Sequence, residues 1–235
     1  MMRFAALASV LCLAMPAAIR AEEVDQPVVV ELFTSQGCAS CPPADALMHK
    51  LVEREDVLAL AFHVDYWDYI GWKDVFADPA YTQRQKDYAR AMGRNMVHTP
   101  QMIVMGQEDV HAADPLKVGD AIKRHQTGAQ PVALDLTATA AGVEISVQAR
   151  SALPKGAMRV DVVRFTPLRR VSISRGELAG RTMAYANIVE DWQQIAEWDG
   201  QEDLNLTVPL PGDQSLAVLV QEAGSGPIIA AAQLK

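Results

Sequence analysis

The sequence contains very little cysteine. Three cysteines occur in 235 residues, and no second Cys or His pair has the spacing of a structural zinc site. One of them, Cys12, lies in an apolar run near the N-terminus, so we expect only Cys38 and Cys41 to remain in the mature chain. One closely spaced pair does not make a disulfide-stapled scaffold. The scarcity of cysteine therefore indicates that this pair has a functional role.

Positive charge and long apolar runs are also scarce. The chain has 21 Lys and Arg against 29 Asp and Glu, which gives a formal net charge of −8. An acidic chain is poorly suited to bind nucleic acid or anionic membrane surfaces, so we expect no nucleic-acid partner. Apart from the N-terminal run, no apolar stretch has the length of a membrane-spanning helix. We therefore expect no membrane span in the mature chain.

The N-terminus has the pattern of a secretory signal peptide. A short basic start that contains Arg3 is followed by an apolar run over residues 4–15 and by small residues up to Ala21. This order is typical of a leader that is removed after export. We predict a signal peptide over residues 1–21 and a mature protein that is periplasmic or secreted.

The rest of the chain divides into two regions of different periodicity. Over residues 26–128, short apolar runs alternate with segments whose apolar residues recur at helical spacing. This pattern predicts an α/β domain with parallel strand pairing, and an aromatic helical insert is predicted over residues 65–94. From residue 131 the apolar period becomes two, with Pro and Gly at the turns. Short strands at this spacing predict a separate all-β sandwich domain over residues 131–235.

Cys38 and Cys41 stand between a predicted strand and a predicted helix. Pro42 and Pro43 fit the first turn of that helix, where a missing N–H group costs nothing. A helix start presents unpaired N–H groups and a positive dipole end, and both stabilise a thiolate. We predict that Cys38 is the nucleophile and that Cys41 resolves the mixed disulfide it forms.

These residues resemble the thioredoxin superfamily, which has a Cys-x-x-Cys-Pro segment at a helix start and a Thr-Pro pair, here Thr99-Pro100, before a later strand. More narrowly, the chain is similar to a family of secreted thioredoxin-like proteins known only as a domain of unknown function. The matching motifs include Glu31-Leu32-Phe33-Thr34-Ser35-Gln36-Gly37-Cys38, Cys41-Pro42-Pro43-Ala44-Asp45, His63-Val64-Asp65-Tyr66-Trp67-Asp68 and Gly71-Trp72-Lys73-Asp74. The resemblance implies a central mixed sheet flanked by helices and a cis Thr99–Pro100 bond beside the cysteines.

Further site residues are predicted around the pair. Thr99 and Pro100 would shape the edge on which a substrate docks. If Glu31 is buried near Cys41, its raised pKa would let it relay the proton of that thiol, whereas a strand-end acid would reach solvent. The remaining candidates are Gly37 and three aromatic residues that would either contact substrate or simply pack the insert onto the core, namely Tyr66, Trp67 and Trp72.

The function expected from this pattern is that of an exported thiol–disulfide oxidoreductase. It would act on a protein or small thiol substrate, exchange electrons with a redox partner, and need no cofactor beyond its redox-active disulfide. One alternative is a copper-handling protein that binds Cu(I) through Cys38, Cys41 and His98, since Cu(I) prefers thiolate ligands. A further alternative is a non-catalytic binding module built on a thioredoxin scaffold.

Overall fold

The computed structural model describes residues 26–128, 130–210 and 212–234, so the predicted signal peptide and Cys12 lie outside the described residues. The helices are α1 (Pro42–Leu51), α2 (Pro79–Ala91) and α3 (Pro115–Gln126), with a short 3₁₀ helix at Asp68–Ile70. The strands are β1 (Val28–Thr34), β2 (Val57–His63), β3 (Gln101–Val104), β4 (Glu108–Val110), β5 (Val132–Thr139), β6 (Gly142–Ala149), β7 (Met158–Ser172), β8 (Thr182–Trp198), β9 (Leu204–Val208), β10 (Ser215–Glu222) and β11 (Ile228–Gln233).

The helix starts follow directly from the sequence. Each of the three helices begins with a proline, which fits the first turn because its missing N–H has no partner there. Asp78 caps α2 by accepting the N–H of Ala80 at 2.7 Å. Asp114 caps α3 in the same way, by accepting the N–H groups of the two residues after its proline. Among the described residues, no helix is long and apolar enough to cross a membrane.

Eight strands form one mixed sheet in the order β11-β10-β7-β8-β2-β1-β3-β4. Strands β1 and β2 are parallel from Val28↔Val57 onwards, and β3 runs antiparallel to β1. Strand β8 joins β2 in parallel through one residue pair, Ala61↔Ile188. The strands β5, β6 and β9 form a second sheet of three strands.

Three apolar clusters form the core. Helices α1 and α3 pack on one face of the β1–β2 region, and α2 packs on the other face. The three-stranded sheet packs against β7 and β10. Residues of β7 alternate between two clusters: Val160 and Val162 face the small sheet, whereas Val163 and Phe165 share a cluster with α2. The switch of face follows from the two-residue period of a strand.

The expectation of a thioredoxin-type α/β domain followed by a separate all-β sandwich is wrong. The chain is mostly β, and strands from both predicted regions lie in the same eight-stranded sheet. The physical cause is β8, a strand of 17 residues that pairs with β7 on one side and β2 on the other. The domain boundaries proposed from sequence, 26–128 and 131–235, stay a prediction.

A buried ion pair connects these layers. The side chains of Arg84, on α2, and Glu31, in the centre of β1, are fully buried, with Arg84 Nε 2.8 Å from Glu31 Oε1. Arg84 also donates to Tyr88 Oη at 2.8 Å and to Gln221 Oε1 of β10 at 3.1 Å. Tyr88 donates to the second oxygen of Glu31 at 2.5 Å. Burial opposes the charge of Arg84, but the adjacent Glu31 carboxylate raises the pKa of the guanidinium above its ordinary value.

We expect Arg84→Met to lower the free energy of unfolding by about 3–5 kcal/mol, because it leaves the carboxylate of Glu31 buried without its cation. Urea denaturation followed by circular dichroism measures the loss. Arg90→Met is the matched control on the same helix, since Arg90 is 64% exposed and its partner is a surface aspartate. That change should stay within about 0.5 kcal/mol.

A double variant, Glu31→Leu with Arg84→Met, should recover much of the lost stability, since buried pairs replaced by apolar groups are often neutral. Equal effects of Arg84→Met and Arg90→Met would contradict the structural role given to the pair.

Candidate functional site

The two cysteines form a disulfide at the start of α1. The Cys38–Cys41 S–S distance is 2.05 Å, which confirms the expected pairing. Cys41 is the N-cap residue, and its carbonyl accepts the N–H groups of Ala44 at 2.9 Å and Asp45 at 3.1 Å. The disulfide therefore lies at the positive end of the helix, where a thiolate released on reduction would be stabilised.

The turn before the disulfide requires glycine. The N–H of Gly37 donates to Ser35 Oγ at 3.0 Å, and the N–H of Cys38 donates to the Ser35 carbonyl at 3.2 Å. A Cβ at position 37 would lie 3.0 Å from Cβ of Trp67 and 3.3 Å from its carbonyl oxygen. Any larger residue at 37 would push Trp67 away from the cysteine turn.

Thr99 and Pro100 lie next to the cysteine turn. The peptide bond between them is cis, as the resemblance implied. Ser40, between the cysteines, donates its hydroxyl to the Thr99 carbonyl at 3.4 Å. The indole N–H of Trp67 donates to Thr99 Oγ1 at 2.7 Å. The structure thus brings Thr99 close to both the cysteine turn and the predicted aromatic residues.

The predicted aromatic residues belong to one connected segment, residues 65–76, which we call the aromatic segment. Trp72 donates its indole N–H to Gln36 Oε1 in the cysteine turn at 2.8 Å. Tyr66 and Trp67 have ring centroids 6.3 Å apart, and burial raises the pKa of Tyr66 to about 12. Gly37, Trp67 and Trp72 are therefore brought together beside the cysteines.

Glu31 is not brought to the cysteines. Its strand neighbours Val30 and Leu32 face α1, the helix that begins at Cys41, so Glu31 points to the opposite face of the sheet. There its partners are Arg84 and Tyr88. This placement gives no support to a proton relay between Glu31 and Cys41.

His98 is exposed, and its backbone carbonyl accepts a hydrogen bond from Gln85 at 2.7 Å. Within residues 26–128, 130–210 and 212–234, no group of three or more His, Cys, Asp or Glu side chains is arranged to hold a metal ion. The copper site of Cys38, Cys41 and His98 stays a prediction, without geometric support.

A buried polar cluster lies on the α1 side of the sheet, and the sequence analysis missed it. Asp45, one helical turn after Cys41, accepts from Thr34 Oγ1 at 2.8 Å. His63 Nδ1 lies 2.7 Å from Asp74 Oδ2, and both side chains are fully buried. The ring of Tyr185 packs edge-on against His63, with centroids 4.9 Å apart.

Three atoms of this cluster have no protein hydrogen-bond partner among the described residues: Asp45 Oδ2, His63 Nε2 and Tyr185 Oη. Buried polar groups are normally paired because burial without a partner is costly. Three such atoms in one cluster mark a polar site with spare hydrogen-bonding capacity, close to the helix turn that carries the disulfide.

The pKa values of the two carboxyl groups in the cluster are shifted in opposite directions. Burial raises the pKa of Asp45 to about 6, against the opposing effects of His63, Thr34 and His49, while Asp74 adds to the rise. Burial also acts on Asp74, but His63 and the N–H groups of Gln36 and Phe76 lower the pKa of its carboxyl. Asp74 is therefore a fixed anion that binds His63, whereas Asp45 can exchange a proton near neutral pH.

One signal for this cluster was present in the sequence. Asp45 follows Cys41 by four residues, and residues four apart share one face of a helix. Tyr185 gave no such signal, since it lies in β8, the strand that sequence periodicity did not predict.

Comparisons with known proteins identify the family but no activity. The crystal structure of protein AGR_C_4864 from Agrobacterium tumefaciens is similar at 37% identity, with a TM-score of 0.75, over 88% of this chain and 93% of that chain. HBP35 of Porphyromonas gingivalis shares the fold, with a TM-score of 0.61 at 19% identity, over 89% of this chain and 75% of that chain. A search of curated proteins found no match.

A protein-family profile matches residues 29–221, which is most of the chain. The match spans the cysteine turn, the aromatic segment, the buried polar cluster and β8. The chain belongs to the family described as protein of unknown function DUF1223.

Proposed function

We propose that this protein is a thiol–disulfide oxidoreductase that works through Cys38 and Cys41. The observation that carries the proposal is a disulfide at the N-terminus of α1, with Cys41 as the N-cap residue. A disulfide that closes so short a loop removes little chain entropy, so a purely stabilising role is a weak explanation. A helix N-terminus instead favours the thiolate that exchange requires.

The proposed exchange has two steps. A substrate thiolate attacks Cys38 Sγ, forms a substrate–Cys38 disulfide and releases Cys41 as a thiolate. A second substrate thiol then displaces Cys38, so the substrate loses two electrons and becomes a disulfide while both cysteines are reduced. The protons of the substrate thiols pass to the cysteine thiols. The reverse sequence reduces a substrate disulfide.

We further propose that the segment from β1 to β3 is related to the redox centre of the thioredoxin superfamily. The support is local: a parallel strand pair, a cysteine pair at a helix start, and Thr99-Pro100 before the next strand. The proposal concerns this centre alone, because the sheet as a whole has a different organisation.

We further propose that Asp45, rather than Glu31, handles the proton of Cys41. Its backbone N–H bonds to the Cys41 carbonyl, and its side chain is buried beside His63 with one oxygen unpartnered. A carboxyl group with a pKa of about 6 is partly protonated near neutral pH. It can donate a proton to the departing Cys41 thiolate and accept that proton in the reverse direction.

The setting and the partners are part of the proposal. The N-terminal sequence pattern supports export, so the protein would work in the periplasm or outside the cell. Thiols in such compartments are exposed to oxidising conditions. The substrates would be protein or small thiols and disulfides, and a separate redox partner would restore the starting state.

Cys38→Ser should abolish both the reduction of insulin and the oxidation of a reduced cysteine peptide, because the attacked sulfur is lost. Cys41→Ser should accumulate a mixed disulfide on Cys38, because no thiol remains to resolve it. Turnover assays test the first variant, and intact-protein mass spectrometry detects the adduct of the second.

Two other outcomes would favour the alternatives. If the wild type lacks turnover but binds one Cu(I) tightly, and Cys38→Ser loses that binding, the protein handles copper. If a partner still binds after both cysteines are replaced by serine, the protein is a non-catalytic binding module.

Asp45→Asn should remove the inflection near pH 6 from the rate at which dithiothreitol cleaves the Cys38–Cys41 bond. Asparagine can accept the Thr34 hydrogen bond but cannot exchange a proton. The rate, measured by acid quench and alkylation between pH 4.5 and 8, should follow only the ionisation of dithiothreitol in the variant. An unchanged inflection would exclude Asp45 as its source.

Stability supplies the control. The pKa of Asp45 is raised in the folded state from 3.8 to about 6, so ionisation costs stability. The cost is absent below about pH 4, grows as pH rises, and is complete above about pH 6, where it amounts to about 3 kcal/mol. Asp45→Asn should therefore be more stable than the wild type at pH 7 and should match it at pH 4. A loss of stability at pH 7 would show that the variant has disturbed the cluster.

A further inference from the structure

The disulfide is completely covered. Cys38 and Cys41 are each 0% exposed, although Ala39 and Ser40 between them are exposed. Thiol–disulfide exchange needs a thiolate to reach a sulfur atom, so its rate depends on access. In this structure an incoming thiolate has no open path to Cys38 Sγ.

Trp67 lies against Gly37, the residue before Cys38. A Cβ at position 37 would lie 3.0 Å from the Trp67 Cβ, and the Trp67 indole N–H donates to Thr99 Oγ1 at 2.7 Å. Ile70 of the same segment also packs against Gly37, since a Cβ there would lie 3.5 Å from Ile70 Cδ1. Trp67 therefore extends over the turn from the Gly37 side to the Thr99 side.

The two ends of the aromatic segment are held differently. Asp74, near its end, accepts from the Gln36 N–H at 2.7 Å and contacts His63 at 2.7 Å. Trp72 adds a second bond to the cysteine turn, through Gln36 Oε1. Among the described residues, the Trp67 side chain makes one hydrogen bond, to Thr99 Oγ1. The Trp72–Asp74 end thus binds the cysteine turn. The backbone around Trp67 is held elsewhere, because Asp65 Oδ1 accepts the hydroxyl of Thr82 at 2.6 Å and Asp68 Oδ1 accepts the N–H of Asp74 at 3.0 Å. The Trp67 indole itself is held by one hydrogen bond and packing.

The backbone between the two ends turns at Gly71. The 3₁₀ helix at Asp68–Ile70 ends at Gly71, whose φ of 95° is in the left-handed region that favours glycine. A Cβ at Gly71 would meet no atom within 4 Å, so this point is free of packing. The N–H of Asp74 donates to Asp68 Oδ1 across this turn, so the backbone on both sides of Gly71 is held together. Movement of the Trp67 indole therefore requires only the loss of its bond to Thr99 and of its packing.

We propose that the Trp67 side chain is a lid over the Cys38–Cys41 disulfide and that Trp67 is the specificity-determining residue that controls which thiols reach Cys38. The proposal deepens the thiol–disulfide function and rests on it for its biological meaning. Closed, the lid protects the disulfide from small thiols such as glutathione. A protein substrate that displaces the Trp67 indole gains access to the sulfur.

The test is the second-order rate of disulfide reduction by dithiothreitol, followed by alkylation and mass spectrometry, together with the equilibrium reduction potential. Trp67→Ala should accelerate reduction at least tenfold. Trp67→Phe, which keeps a ring but loses the bond to Thr99, should accelerate it about fivefold, the factor expected for one hydrogen bond. In each variant, reoxidation should accelerate by the same factor as reduction, so the reduction potential should stay unchanged. A lid alters access to the disulfide and not the redox equilibrium.

Tyr69→Ala is the matched control, because Tyr69 lies two residues from Trp67, in the adjacent 3₁₀ helix, but is 81% exposed. Its rate should equal that of the wild type. Unchanged rates in Trp67→Ala and Trp67→Phe would overturn the proposal. The proposal would also be overturned by a reduction potential that shifts far enough to account for the whole change in rate, since Trp67 would then stabilise one redox state. These rates need no substrate turnover, so the lid can be confirmed or rejected even if the protein fails to act on insulin or peptides.

Discussion

The buried pair of Glu31 and Arg84 is the interaction on which the arrangement of the chain depends. Two charges removed from water are tolerated only when nearly all their hydrogen-bonding groups find partners. Here Tyr88 and Gln221 supply those partners, from α2 and β10, and Trp192 of β8 stacks on the guanidinium at 4.4 Å. The pair thereby fixes α2 against strands from both halves of the chain. Since the aromatic segment connects β2 to α2, the position of α2 determines where that segment meets the cysteine turn.

The two faces of β1 have different roles. The α2 face holds the satisfied ion pair, which stabilises the sheet. The α1 face holds Asp45, His63 and Tyr185, whose unpartnered atoms lie near the helix turn that carries Cys41. Asp74 connects this face to the aromatic segment, because its carboxylate binds both His63 and the Gln36 N–H. The buried carboxylate of Asp74 therefore links the cluster proposed for proton exchange to the segment that carries the proposed lid.

Local features were predictable from sequence, and long-range pairings were not. The start of α1 at Pro42 and Pro43 and the Cys38–Cys41 pairing were both expected from short-range patterns. Strand β8 was missed because Glu190, Asp191 and the glutamines after them interrupt its apolar alternation. Without β8 the halves appeared to be separate domains. Glu31 was placed in the wrong surroundings for a similar reason, since nothing in the sequence indicates that Arg84, 53 residues away, is its partner.

The central claim is that Cys38–Cys41 is an exchanging disulfide and not a structural one. A redox titration of the wild-type protein in a glutathione series tests it most directly, with the oxidised fraction measured by alkylation. We expect reversible two-electron behaviour with a midpoint between about −270 and −120 mV, the range of thiol–disulfide exchange proteins. A midpoint below about −300 mV, which is typical of structural disulfides in exported proteins, would contradict the account.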